Sequence, residues 1–135
     1  MSGDQIERGA VLGETTIPGL SAAEIADYSS VSGDDNPVHT DRQLANDLGL
    51  EDVPVQGMLL MALANSYIEN WQYCETLRKL SMRFVHPALA NRSLRIAGKV
   101  MVSNREEQTA IVRVMLFQED KLVAMGDANI TLASA

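Results

Sequence analysis

The stretch GMLLMALANSYIEN, Gly57 to Asn70, has helix-forming residues, no breaker after Gly57, and apolar side chains on nearly every side of its first two turns. A helix that is hydrophobic all round is surrounded by protein, so this segment is expected at the centre of the molecule. From Leu77 the pattern changes. KLSMRFV, SLRIAGKVMV, TAIVRVMLF and LVAMGDANITL are rich in Val, Ile, Leu and Met and often alternate polar with apolar positions, which predicts strands. NREEQ and QEDK read as hairpin turns between the last three, and GETTI as an earlier strand. One buried helix followed by an antiparallel run predicts an α+β architecture, with a curved sheet wrapped around the helix.

The length of 135 residues fits a single domain over 1–135. With 46% hydrophobic and 21% charged residues, the composition is that of a globular chain and not of a disordered one. The N-terminus, MSGDQIERGAVLGE, has acids where an export signal would need a basic start and an apolar run. The longest apolar run, Met58 to Ala64, is far short of the roughly 20 residues that span a bilayer. A lone cysteine, Cys74, excludes an internal disulfide and a multi-cysteine metal site. A cytoplasmic protein without membrane contact is expected.

The net charge of -7 argues against nucleic acid as a partner, yet the charges are unevenly placed. Arg78, Lys79, Arg83, Arg92, Arg95, Lys99 and Arg105 fall between Thr76 and Arg105 without one acid, leaving the remainder of the chain twice as negative as the whole. Such a basic segment is either a set of solvated strand side chains or a site for a phosphorylated or acidic ligand.

Two helix starts precede the central helix. In LSAAEI, Ser21 and Glu24 form a capping box, with Leu20 and Ile25 placed as a hydrophobic staple, so a helix should run from about Ala22 to Val31 and end at Gly33. In TDRQ, Thr40 is expected to cap a short helix with Gln43 at its third position and Gly49 at its close. Between them lies SVSGDDNPVHTDRQLA, Ser30 to Ala45, with one of the two histidines.

Asp34 and His39 are five apart, a spacing that separates their side chains on a helix or a strand. Only a folded-back loop brings them together. Pro37 breaks any helix and biases Asn36 toward extended backbone, while the Asn36 side chain is suited to bonding nearby backbone. Asp34, Asp35 and Asn36 are then either simple turn formers beside a solvated His39, or the frame of an Asp–His pair. Such a pair is useful because water, with a pKa of about 15.7, attacks poorly until a base takes its proton. A calcium loop would need Gly at its sixth position and a distal Glu, and Pro37 spoils the spacing, so no metal is expected. There is no Gly-x-Ser-x-Gly elbow for serine hydrolysis.

SGDDNPVH resembles the signature of the MaoC-like hydratases, the R-specific enoyl-CoA hydratases, in which Gly-Asp-any-Asn-Pro-aliphatic-His follows a helix carrying an aromatic. Tyr28, Gly33, Asp34, Asn36, Pro37, Val38 and His39 fill those positions. VPVQGMLLMAL is similar to the family's apolar-His-Gly-Met helix start, and the likeness continues through RFVHPAL and AMGDANITL. The resemblance implies a hotdog fold and reversible addition of water to a trans-2-enoyl thioester. It implies that Asp34 and His39 activate the water, that Asn36 and Pro37 shape their loop, and that the Gly57 N–H bonds the thioester oxygen. The helix N-terminus suits that last role independently, through its unpaired N–H groups and positive dipole end. Met58, Met61 and Asn65 are then candidates for the acyl site, and Arg78, Lys79, Arg83 and Arg92 for the phosphates of CoA. No cofactor is implied, and the architecture suggests a homodimer.

The chain departs from this pattern at Gln56, which replaces the His before Gly-Met and cannot titrate. Asn91-Arg92 in LANRSL replaces a Gly-Asp turn between strands, and Asn tolerates hairpin geometry. Asn65 is either a hydrogen-bonded core residue or one that reads a polar acyl group. His86 reads as structural, Cys74 as a small buried or surface thiol, and Met58, Met61, Met82, Met101, Met115 and Met125 first as core filler. A dehydratase acting on acyl-carrier-protein thioesters would use the same residues in reverse. A thioesterase lacks this loop, and a non-catalytic acyl-thioester-binding subunit would be expected to lose the Asp or the His.

Overall fold

A computed structural model describes residues 6–134; residues 1–5 of the N-terminal stretch read above against an export signal, and residue 135, lie outside them. Strand β1 spans Val11–Ile17, helix α1 Ala22–Ser32 and a 3-10 turn Pro37–His39. Helix α2 spans Arg42–Asp47, and α3 Gly57–Glu69. Strands β2 to β5 follow at Cys74–Phe84, Leu94–Asn104, Thr109–Gln118 and Lys121–Leu132.

The strands form one antiparallel sheet in the order β1-β3-β4-β5-β2, with α3 against it, the hotdog arrangement. Alternation supplies its inner face: Ala110, Val112, Val114 and Leu116 of β4 are buried while their neighbours are half-buried. Register shifts occur in all four strand pairings, and such bulges bend and twist a sheet. Onto this face α3 sets Leu60, Ala64 and Ile68, one per turn. Full enclosure of α3 does not follow: within one chain the stripe of Met58, Ala62 and Ser66 is exposed.

NREEQ and QEDK are hairpin turns, closed by Gln108 and Glu119 at positive φ. LANRSL is not one. β2 pairs with β5 across the sheet, so the chain from Phe84 to Leu94 is a crossover; Asn91, at φ 66, is the αL residue within it. Along this crossover, residues 88–90 meet 53–55: the Val55 N–H donates to the Ala88 carbonyl at 2.7 Å, and the Ala90 N–H to the Val53 carbonyl at 3.0 Å. That short pairing fixes the segment leading into α3. Among the described residues no helix is long and apolar enough to cross a membrane.

Candidate active site

The loop after α1 is built from local side-chain bonds. Ser21 and Glu24 form the capping box that starts α1, and Gly33, in the αL conformation at φ 80, ends it with its N–H on the Ser29 carbonyl. Asp34 Oδ1 accepts the Asn36 N–H at 3.2 Å, and Asn36 Oδ1 accepts the Val38 N–H at 3.1 Å. Asn36 is therefore the cap of the 3-10 turn, with Pro37 at its first position, and the turn swings His39 back toward Asp34. Asp41, not Thr40, caps α2: its carboxylate accepts the Leu44 N–H at 3.1 Å, while Thr40 ends the 3-10 turn and Gln43 bonds Asp47.

These bonds leave Asp34 Oδ2 3.6 Å from His39 Nε2, with the imidazole largely buried and the carboxylate half-exposed. That separation exceeds a direct N–H···O bond of about 2.7–3.2 Å. His39 Nδ1 lies 2.8 Å from the Pro54 carbonyl, and a carbonyl only accepts, so Nδ1 carries the hydrogen. In the neutral ring Nε2 is then a bare acceptor facing a second acceptor, the carboxylate. Two acceptors so spaced suit a water oxygen that donates one hydrogen to each.

Gly57 opens α3, whose first turn has no side-chain cap, so its leading N–H groups have no partner from the helix. The Phe84 ring covers it: a Cβ at Gly57 would meet ring carbon Cζ at 3.3 Å. Beside it lies a cleft of about 260 Å³ walled by Val55, Leu60, Phe84, Val85 and His86. The His86 Nδ1–H donates to the Leu122 carbonyl at 2.9 Å, because a carbonyl only accepts, and His86 is one of the residues lining that cleft. A second groove, of about 360 Å³, lies at the far end of α3 against β1, by Leu63, Tyr67 and Trp71.

Of the expected substrate residues, Met58 is exposed next to Gly57, Met61 is half-buried, and Asn65 bonds Glu69 one turn along α3. Arg78, Lys79 and Arg83 stand exposed on edge strand β2, where among the described residues none makes an ion pair. Arg92 is held by Glu51 and, at 3.1 Å, by Glu119; those carboxylates raise its guanidinium pKa further, the hydrogen bond to Glu51 most. Sequence reasoning missed the Pro54 carbonyl, because a backbone oxygen has no sequence signature. It also missed what Gln56 does: its side chain is fully buried and reaches α1.

The family profile described as the MaoC like domain matches residues 7–119. The fatty acid synthase subunit beta of Saccharomyces cerevisiae matches at 30% identity over 109 residues, 76% of this chain and 5% of that one. A solved MaoC-like dehydratase superposes with a TM-score of 0.88 at 25% identity, over 98% of this chain and 42% of the other. R-Hydratase PhaJ1 from Pseudomonas aeruginosa does so with a TM-score of 0.84 at 22% identity, over 99% and 86%. The chain thus spans a small fraction of its curated relative and under half of the first structure.

Proposed function

The chain belongs to the MaoC-like domain family, and from that premise we propose that it is a hydro-lyase adding water reversibly to trans-2-enoyl-CoA to give (R)-3-hydroxyacyl-CoA. The observation that supports this reading is the pair of facing acceptors, His39 Nε2 and Asp34 Oδ2, at 3.6 Å. A water held by both is oriented and partly deprotonated at once. As its oxygen attacks the β carbon, its proton passes to the pair, and the pair returns a proton to the α carbon from the same face. The carbonyl oxygen gains negative charge in the enolate, and the Gly57 N–H at the uncapped start of α3 bonds it there. One such donor is worth roughly 2.7–4 kcal/mol.

Purified protein is expected to hydrate crotonyl-CoA with loss of enoyl absorbance; no hydration at any acyl length would reject the assignment and favour a binding subunit. Asp34→Asn and His39→Ala should each lower kcat by about 10²–10⁴-fold. A folded variant of either kind with near-normal turnover would remove that residue from the mechanism.

A second reading, dehydration of (R)-3-hydroxyacyl groups on a carrier protein, is favoured by the fatty acid synthase relative and by the basic edge of β2, which suits an acidic carrier as well as CoA phosphates. Arg78, Lys79 and Arg83 are the candidates for either headgroup, because Arg92 would first have to leave two carboxylates. The assembly proposed is a homodimer. Its motive is the long unpaired edge of β2 and the exposed Met58, Phe84 and Val85.

A further inference from the structure

We propose that Gln56 is the positioning residue of this site, clamping the end of α1 to the segment before α3 and so setting where Asp34 stands relative to His39 and Gly57. Gln56 is fully buried, and Val53, Pro54 and Val55 directly before it are buried too. Its Nε2 lies 2.8 Å from the Ile25 carbonyl and 2.8 Å from Ser29 Oγ. Because the Ile25 carbonyl only accepts, the amide cannot be turned the other way, and both of its hydrogens are committed to α1.

The bonds fall where they govern the loop. The Ser29 carbonyl receives the Gly33 N–H at 3.1 Å, and Gly33 is the turn residue directly before Asp34. On the other side of the clamp, the same short segment supplies the Pro54 carbonyl that orients His39 and the Gly57 N–H that begins α3. The Gln56 carbonyl receives the Leu60 N–H at 3.1 Å, the first bond of that helix. One residue therefore joins all three groups of the site.

Packing alone does not define this geometry. Ile25 is the one fully buried side chain that α1 contributes, and a single apolar contact has no direction. Gln56 Oε1, moreover, is buried without a partner among the described residues. Such an amide is costly to folding where an apolar side chain of similar size would not be. A glutamine present at that expense, with both amide hydrogens on α1, points to geometry as what it provides.

The kinetic test rests on the hydratase reading above and uses the whole chain with crotonyl-CoA. In Gln56→Leu, kcat should fall by up to about 10²-fold with KM within about twofold, the signature of displaced reacting groups with intact binding. Ser29→Ala, which removes one of the two bonds, should show a smaller fall in kcat, again at constant KM. Gln56→His keeps an N–H for the Ile25 carbonyl and should recover most of the turnover. Folded Gln56→Leu with wild-type kcat, or with a raised KM alone, overturns the proposal; if that variant does not fold, Ser29→Ala decides by the same criterion. Should the wild type hydrate nothing, the catalytic reading fails separately, and the clamp is judged by NMR of Ser29→Ala. Shifts at the Asp34 amide and the His39 Nδ1 hydrogen support it, and unchanged signals refute it.

Discussion

Tyr67 ties α3 to the sheet by one polar atom. Its hydroxyl donates to the Gly13 carbonyl at 2.8 Å, and burial first, then the Glu14 carboxylate, push its phenol from 10.0 up to about 12. The unfolded phenol loses its proton first, so the stability this group provides is complete below pH 10 and is lost as pH rises toward about 12. Tyr67→Phe should be less stable than wild type near pH 8 by about 0.5–1.5 kcal/mol, the net worth of a hydrogen bond. In urea titrations that gap should narrow between pH 10 and pH 12; a gap independent of pH would show that Tyr67 titrates alike in both states. At this scale the sequence was legible where a side chain acts on its own neighbours. Asn36 on Val38 and Ser21 on Glu24 follow from spacing. Gln56 on Ile25 and His39 on Pro54 do not, because they join residues 31 and 15 apart through backbone oxygens.

Strand β2 is where function and architecture meet. Its C-terminal Phe84 packs on Gly57, while Arg83, next along a strand whose side chains alternate, faces away and lines a groove with Arg113 and Asp127. Arg113 is already paired with Asp127 at 3.0 Å, so Arg83, Arg78 and Lys79 are the cations proposed above for an anionic headgroup. Replacing these three by Gln should raise KM for CoA thioesters, and more so at low salt, with kcat little changed. Equal KM in wild type and variant, for CoA and carrier-bound substrates alike, would assign them to solvation. Elements as such were readable from pattern, since period and caps are local properties. Their partners were not: nothing in KLSMRFV says that it pairs with the last strand and not with the next one. The displaced cap of α2 has the same origin, because Thr40 and Asp41 are both good caps and only the preceding 3-10 turn selects Asp41.

For the molecule as a whole, the antiparallel sheet and its helix were legible because a hydrophobic helix followed by alternating strands admits few packings. What one chain leaves open is the exposed stripe on α3 and the outer edge of β2. If a second copy covers them, light scattering after size exclusion should give twice the 14.7 kDa of one chain, and a charge placed at exposed Met58, as in Met58→Glu, should shift it toward monomer. A monomeric wild type would leave those surfaces to another partner. The sheet order also imposes a schedule on synthesis. β2 leaves the ribosome directly after α3, yet its partner β5 is complete only at Leu132, with β3 and β4 made in between. At about 5–20 residues per second, several seconds separate the completion of β2 from that of β5, and over that interval the strand that covers Gly57 has no partner for the edge that β5 takes in the finished sheet.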